Sequence, residues 1–184
     1  FRENLAQAVR ATFFIPDARA GWLLHGIPGG VKAAREWGAD LIFSSSPPYT
    51  CALLGRAIAR RVRKPWVMEL RDPWTGFLSA PVRHGLSRAL DSHLERSCVE
   101  QAARLVIAWR GIERDLAGKY PDFDRTKVRL VENGFDPDDL AHAEPQPFDR
   151  FTVVYTGSMY GVRNPDTFLQ AAARLLADGT ARPE

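Results

Sequence analysis

Four short apolar runs recur along the first 131 residues, separated by stretches of helical length. They lie at 41–43 (LIF), 66–70 (WVMEL), 105–108 (LVIA) and 128–131 (VRLV). Runs this short, bounded by turn residues, suit strands buried in a parallel sheet. Helix-spaced apolar residues fill the intervals. Ala52, Leu53, Leu54, Ala57, Ile58 and Val62 share one face of a helix expected over 50–63. Leu86, Leu90, Leu94 and Val99 give an expected apolar stripe over 82–103, and a shorter helix is expected over 112–120. An earlier helix should begin at Gly21-Trp22, weaken at Gly29-Gly30 and stop at Gly38. Such alternation means βαβ units, so the expected class is α/β with a parallel sheet and helices on both faces.

The second run carries the most chemistry at its end. Pro65 opens it, and Pro73 closes it by removing an N–H and keeping Asp72 out of helical geometry. Arg71, Asp72 and Trp74 therefore stand at the carboxyl end of a strand, where open α/β sheets bind ligands. The alternative is that Arg71 and Asp72 pair locally and hold the turn. Ser44 to Pro48 follows the first strand and offers hydroxyls and N–H groups near a helix start, with helix capping as its competing role.

Beyond the fourth run the pattern breaks. Residues 132–150 hold three prolines and six acidic residues and suit a linker. A fresh strand is expected at 151–155, then a turn at Thr156-Gly157-Ser158, then a helix over 165–177 with Phe168, Leu169, Ala172, Leu175 and Leu176 inward. Gly157 permits close backbone approach, and Arg163 stands where it could meet a phosphate. The expected division is a domain over 1–131, a linker over 132–150 and the opening βα unit of a second domain over 151–184.

Composition excludes several classes. Hydrophobic residues make up 45% and charged residues 26% of the 184, as in ordinary globular proteins. No apolar run approaches the ~20 residues of a membrane span. Cys51 and Cys98 are the only cysteines, which fits a reducing compartment better than a disulfide scaffold. His25, His84, His93 and His142 lack metal-ligand spacing, so no metal is expected. No serine-hydrolase elbow occurs, and no basic face interleaved with aromatics calls for nucleic acid. Arg56, Arg60, Arg61, Arg63 and Lys64 form a basic run, read as a solvated helix end or a membrane-surface contact. The chain begins with Phe1 and is expected to be a piece of something longer.

Five blocks, SSSPPYT, PWVMELRDPW, RLVIA, VRLVENGFD and FTVVYTGSMYGVRNPDTFLQAA, resemble in order and spacing glycosyltransferase family 4, the retaining enzymes of GT-B fold. The resemblance spans about Ile15 to Leu176. It implies two Rossmann-like domains, the first for acceptor and the second for a nucleotide-sugar, which is a substrate and not a cofactor. It implies catalytic roles for Arg71 and Asp72, substrate contacts from Ser45, Ser46 and Trp74, and donor-phosphate contacts from Gly157, Ser158 and Arg163. Relatives commonly place Arg directly after the glycine; here Ser158 follows and Arg163 is offset. The paired glutamates of the family would fall beyond Glu184, so this stretch alone is expected to be inactive. The implied activity is transfer of a sugar to a sugar or lipid-linked acceptor in polysaccharide biosynthesis. The implied setting is the cytoplasm, with peripheral contact at the inner face of the cell membrane. The alternatives are a non-catalytic binding module of the same fold and an enzyme similar to nucleotide-sugar epimerases.

Overall fold

The computed structural model describes residues 11–76, 82–139, 141, 144, 147–159 and 163–180. The chain divides into two compact units, Phe1–Gly134 and Phe135–Glu184.

The first unit runs α1 (Leu23–Glu36), β1 (Ile42–Ser46), α2 (Thr50–Val62), β2 (Trp66–Leu70), α3 (Gly85–Gln101), β3 (Arg104–Ile107), α4 (Arg110–Lys119) and β4 (Val128–Leu130). The strands pair in parallel in the order β1-β2-β3-β4. The α/β class with a Rossmann-like parallel sheet flanked by helices is therefore established.

The register explains where the core sits. Ser44, Met68, Leu105 and Val128 lie side by side across the four strands, and Ser46, Leu70 and Ile107 form the next row. Both rows point to one face, where Leu53 and Ala59 of α2, Val99 of α3 and Ile112 and Leu116 of α4 join them in a single cluster. A fully buried Leu or Met contributes roughly 1.5–3 kcal/mol, so this face carries most of the unit's apolar stabilisation. The other face presents Phe43, Val67, Val106, Glu69 and Arg129.

One expectation shifts, and another holds against local propensity. The first strand extends through Ser44, Ser45 and Ser46, which the sequence placed in a turn. Ladder pairing to Met68, Glu69 and Leu70 carries the serines into the sheet despite their turn preference. Helix α1 continues through Pro28-Gly29-Gly30, because packing outweighs propensity there. A Cβ on Gly26 would meet Leu54 Cδ2 at 2.8 Å, and one on Gly30 would overlap Ile58. These glycines let α1 lie close along α2. Gly38, in the left-handed region at φ +63°, ends the helix where expected.

In the second unit, α5 (Asp166–Ala177) forms where predicted, but none of its residues is buried. Phe168, Leu169, Leu175 and Leu176 are exposed, not inward. The segment 151–155 belongs to no ladder among the described residues, so the expected strand is absent there. A strand exists only through a hydrogen-bonded partner, and one helix cannot close a core over it.

Glycines in the first unit supply a paired test. A Cβ on Gly55 would lie 2.5 Å from Trp66 Nε1 and 2.6 Å from Ser44 Oγ, whereas Gly29 has open space around it. Gly55→Ala is expected to lower unfolding stability by about 1–3 kcal/mol through overpacking. Gly29→Ala is expected to raise it by roughly 0.5–1 kcal/mol through helix propensity. Urea unfolding of both variants checks the pair of signs.

Candidate active site

All four strands run the same way, so their carboxyl ends share one edge, and the loop after β2 lies at its centre. That loop, 71–76, is tied at almost every residue. Arg71 donates its N–H to the Ser46 carbonyl at 2.9 Å, and its guanidinium to the Pro47 carbonyl at 2.8 Å. Tyr49 donates its hydroxyl to the Pro73 carbonyl at 2.8 Å, while its ring stacks on Trp74 at 4.9 Å. Trp74 donates its indole N–H to Asp91 Oδ1 at 2.9 Å. Thr75 donates its N–H and hydroxyl to Glu95, at 3.3 and 2.6 Å.

The two acceptors, Asp91 and Glu95, stand one turn apart on the core side of α3 and are buried. Asp91 Oδ2 receives Arg83 Nε at 2.8 Å, and both side chains are buried. Arg83 also donates to the carbonyls of Ala11, Phe14 and Pro16 and so holds the segment before α1 against the start of α3. Burial pushes the Asp91 carboxyl up, while the Trp74 N–H and the Arg83 guanidinium pull the other way. Glu95 further accepts from the Tyr120 hydroxyl at 2.8 Å and lies 3.4 Å from Lys119 Nζ. Burial, then the nearby Glu95, raises the Tyr120 phenol; burial, then Asp72, raises that of Tyr49. Both phenols therefore stay protonated and serve as donors.

One group in the loop is different. Asp72 is half-buried, and its carboxylate has no hydrogen-bond or ion-pair partner among the described residues. A rigid loop at the carboxyl edge of a parallel sheet thus presents a single uncommitted carboxylate.

Residues 4–134 match the glycosyl transferase 4-like domain. The chain belongs to this glycosyltransferase family. No curated protein matches it. The match ends at Gly134, where the first compact unit also ends.

Within the glycosyltransferase domain, the residues singled out from sequence fall into distinct places. Arg71 and Asp72 are adjacent on the edge loop, but only Arg71 ties the loop down. Trp74 is 2% exposed, so its ring holds the turn and has no surface to offer a substrate. Ser46 is fully buried, and its Oγ has no partner among the described residues. Ser45 is half-buried on the opposite face of the strand. The expected anion site at the start of α2 is occupied by the chain itself. Asp17 receives the Thr50 N–H and the Thr50 hydroxyl, each at 2.8 Å, and caps that helix from a distance.

In the second unit, Gly157 has φ +148°, a conformation that favours glycine, and the Ser158 carbonyl accepts from the Tyr155 hydroxyl at 3.3 Å. Arg163 and Ser158 are exposed. The basic run at 56–64 lies around the carboxyl end of α2, at the opposite edge of the sheet, and most of it is engaged. Arg56 bonds Ser97, Arg61 bonds the Ala57 carbonyl and Lys64 meets Asp40.

Sequence reasoning missed Tyr49, Arg83, Asp91 and Glu95. The available signal was the i, i+4 spacing of Asp91 and Glu95 in register with Cys98 and Val99. Asp91→Ala would leave the Arg83 guanidinium buried without its countercharge. The expected loss of unfolding stability is on the order of 3–5 kcal/mol, measured by urea titration.

Proposed function

We propose that the first unit is the acceptor-side domain of a retaining glycosyltransferase of GT-B architecture. The enzyme takes a sugar from a nucleotide-sugar and passes it to a sugar or lipid-linked acceptor in polysaccharide biosynthesis. The observation that carries this reading is Asp72, the uncommitted carboxylate on a fixed loop of a glycosyltransferase domain. As the nucleotide diphosphate departs, positive charge develops at the sugar's anomeric centre. A preorganised carboxylate stabilises that charge without reorganising as it forms. Arg71 keeps the loop in place through the Pro47 carbonyl and orients substrate with its remaining donors. In the second unit, the Gly157 turn, Ser158 and Arg163 take the negative charge of the leaving diphosphate.

We place the reaction in the cytoplasm. Cys51 and Cys98 are free thiols, and burial pushes the Cys98 thiol up to about 12, so it stays protonated and inert. Among the described residues no helix is long and apolar enough to cross a membrane. Contact with a lipid-linked acceptor would then be made at the membrane surface.

The test is Asp72→Asn in the full-length enzyme, followed by release of nucleoside diphosphate from a panel of nucleotide-sugars. The variant should lose on the order of 10²-fold or more in kcat, while its unfolding midpoint stays that of the wild type, since the carboxylate has no partner to lose among the described residues. Wild-type turnover by the variant would remove Asp72 from the reaction. Arg71→Ala should instead lower stability by about 0.5–1.5 kcal/mol, the net worth of one hydrogen bond.

A further inference from the structure

The start of α4 goes against local preference twice. Its N-cap is Trp109, where Ser, Thr, Asp or Asn would bond a free helix N–H, and Trp109 makes no such bond. Its second residue is Gly111, buried in a helix that glycine disfavours. The reason for the glycine is steric. A Cβ on Gly111 would fall 1.5 Å from Cζ3 and 1.9 Å from Cη2 of Trp109. Gly111 is therefore the seat of the Trp109 indole. The seated ring still leaves Trp109 47% exposed. Its indole N–H has no hydrogen-bond partner among the described residues, whereas Trp66 and Trp74 donate theirs to Ser44 and Asp91.

This ring stands at the edge that carries Asp72. Leu70 and Ile107 are paired across β2 and β3, and the Ala108 N–H extends the ladder to the Leu70 carbonyl at 3.1 Å. Asp72 and Trp109 each lie two residues beyond that pair. Neighbouring strands run about 4.8 Å apart, so the two residues leave the sheet side by side. The Asp72 loop then passes against α4, since a Cβ on Gly76 would lie 2.6 Å from Asp115 Oδ1.

A fixed, half-exposed indole with a free N–H suits one chemistry in particular. A pyranose with equatorial ring hydroxyls turns its axial C–H bonds to its two sides, giving apolar faces rimmed by hydroxyls. Such a face packs on the ring, whose negative π-cloud meets the slightly positive C–H hydrogens. A hydroxyl overhanging the ring edge accepts from the indole N–H. A phosphate has no apolar face and an alkyl chain has no acceptor, so neither uses both halves of the group.

We propose that Trp109 is the stacking platform for the acceptor sugar, a pyranose with equatorial ring hydroxyls, and holds it beside Asp72. Assignment to the acceptor rests on the proposed transferase activity; affinity for the sugar does not.

The experiment titrates the isotopically labelled full chain with methyl β-D-glucopyranoside, without any nucleotide-sugar, and follows the indole N–H resonances by NMR. The Trp109 resonance is the one missing from Trp109→Phe. It should move as sugar is added, while those of Trp66 and Trp74 stay in place. Methyl α-D-mannopyranoside, whose axial oxygens interrupt both faces, should bind several-fold more weakly. Gly111→Ala fills the seat and displaces the ring, and should weaken glucoside binding about ten-fold, the scale of one aromatic contact. An unmoved Trp109 resonance overturns the proposal, as does equal affinity for the two glycosides. So does a folded Gly111→Ala protein that binds like the wild type; the wild-type titration needs no substitution and decides the matter where that variant unfolds. Because no turnover is read, failure here leaves the Asp72 test standing, and failure of the Asp72 test leaves this one standing.

Discussion

Two carboxylates on the inner side of one helix hold the carboxyl edge of this domain together. Asp91 gathers the Trp74 indole and the Arg83 guanidinium, and through Arg83 the carbonyls of the preceding segment. Glu95 gathers Thr75, Tyr120 and Lys119. Buried acids add little net stability when compared with well-packed apolar residues, because desolvation offsets most of the attraction. They differ from apolar residues in direction. Each oxygen accepts only along certain lines, so the loop after β2 has one conformation and not several.

That directionality bears on the chemistry proposed for the edge. A catalytic carboxylate is useful only if it is held in place and is itself uncommitted. Here the two requirements fall on different residues. Arg71, Pro73, Trp74 and Thr75 absorb the ties, and Asp72, between them, absorbs none from the described residues. The donors involved also keep their protons. The phenols of Tyr49 and Tyr120 are raised by burial, so the supports do not titrate alongside a reacting substrate.

How much was legible in the sequence follows from which forces leave a periodic trace. Strands β2, β3 and β4 and helix α2 were recovered nearly to the residue, because apolar burial writes period and length directly. Arg71 and Asp72 were placed at the strand end by Pro73 alone. In helix α3, Leu94 and Val99 of the expected stripe meet the core but Leu86 and Leu90 do not, since hydropathy assigns leucines inward and acids outward. Asp91 and Glu95 reverse that rule through partners distant in sequence. Ser44 to Ser46 looked like a turn because ladder bonds are made by the backbone and ignore side-chain polarity. Asp17 at the start of α2 was invisible for the same kind of reason. Its two bonds to Thr50 cross more than thirty residues, a distance no local motif can encode.

The order of the strands has a consequence for how the domain comes together. Each ladder joins strands that are also neighbours along the chain. Among the described strands none has to be threaded between two that are already paired, and each crossover helix can settle on the sheet as soon as its second strand docks. The sheet can therefore lengthen from β1 to β4 in the order in which a ribosome releases them. The Asp72 loop is an exception to this orderly growth. Three of its ties reach back to Ser46, Pro47 and Tyr49, but the others wait for Asp91 and Glu95 of α3. The edge that carries the chemistry is consequently completed after the ladder on which it rests.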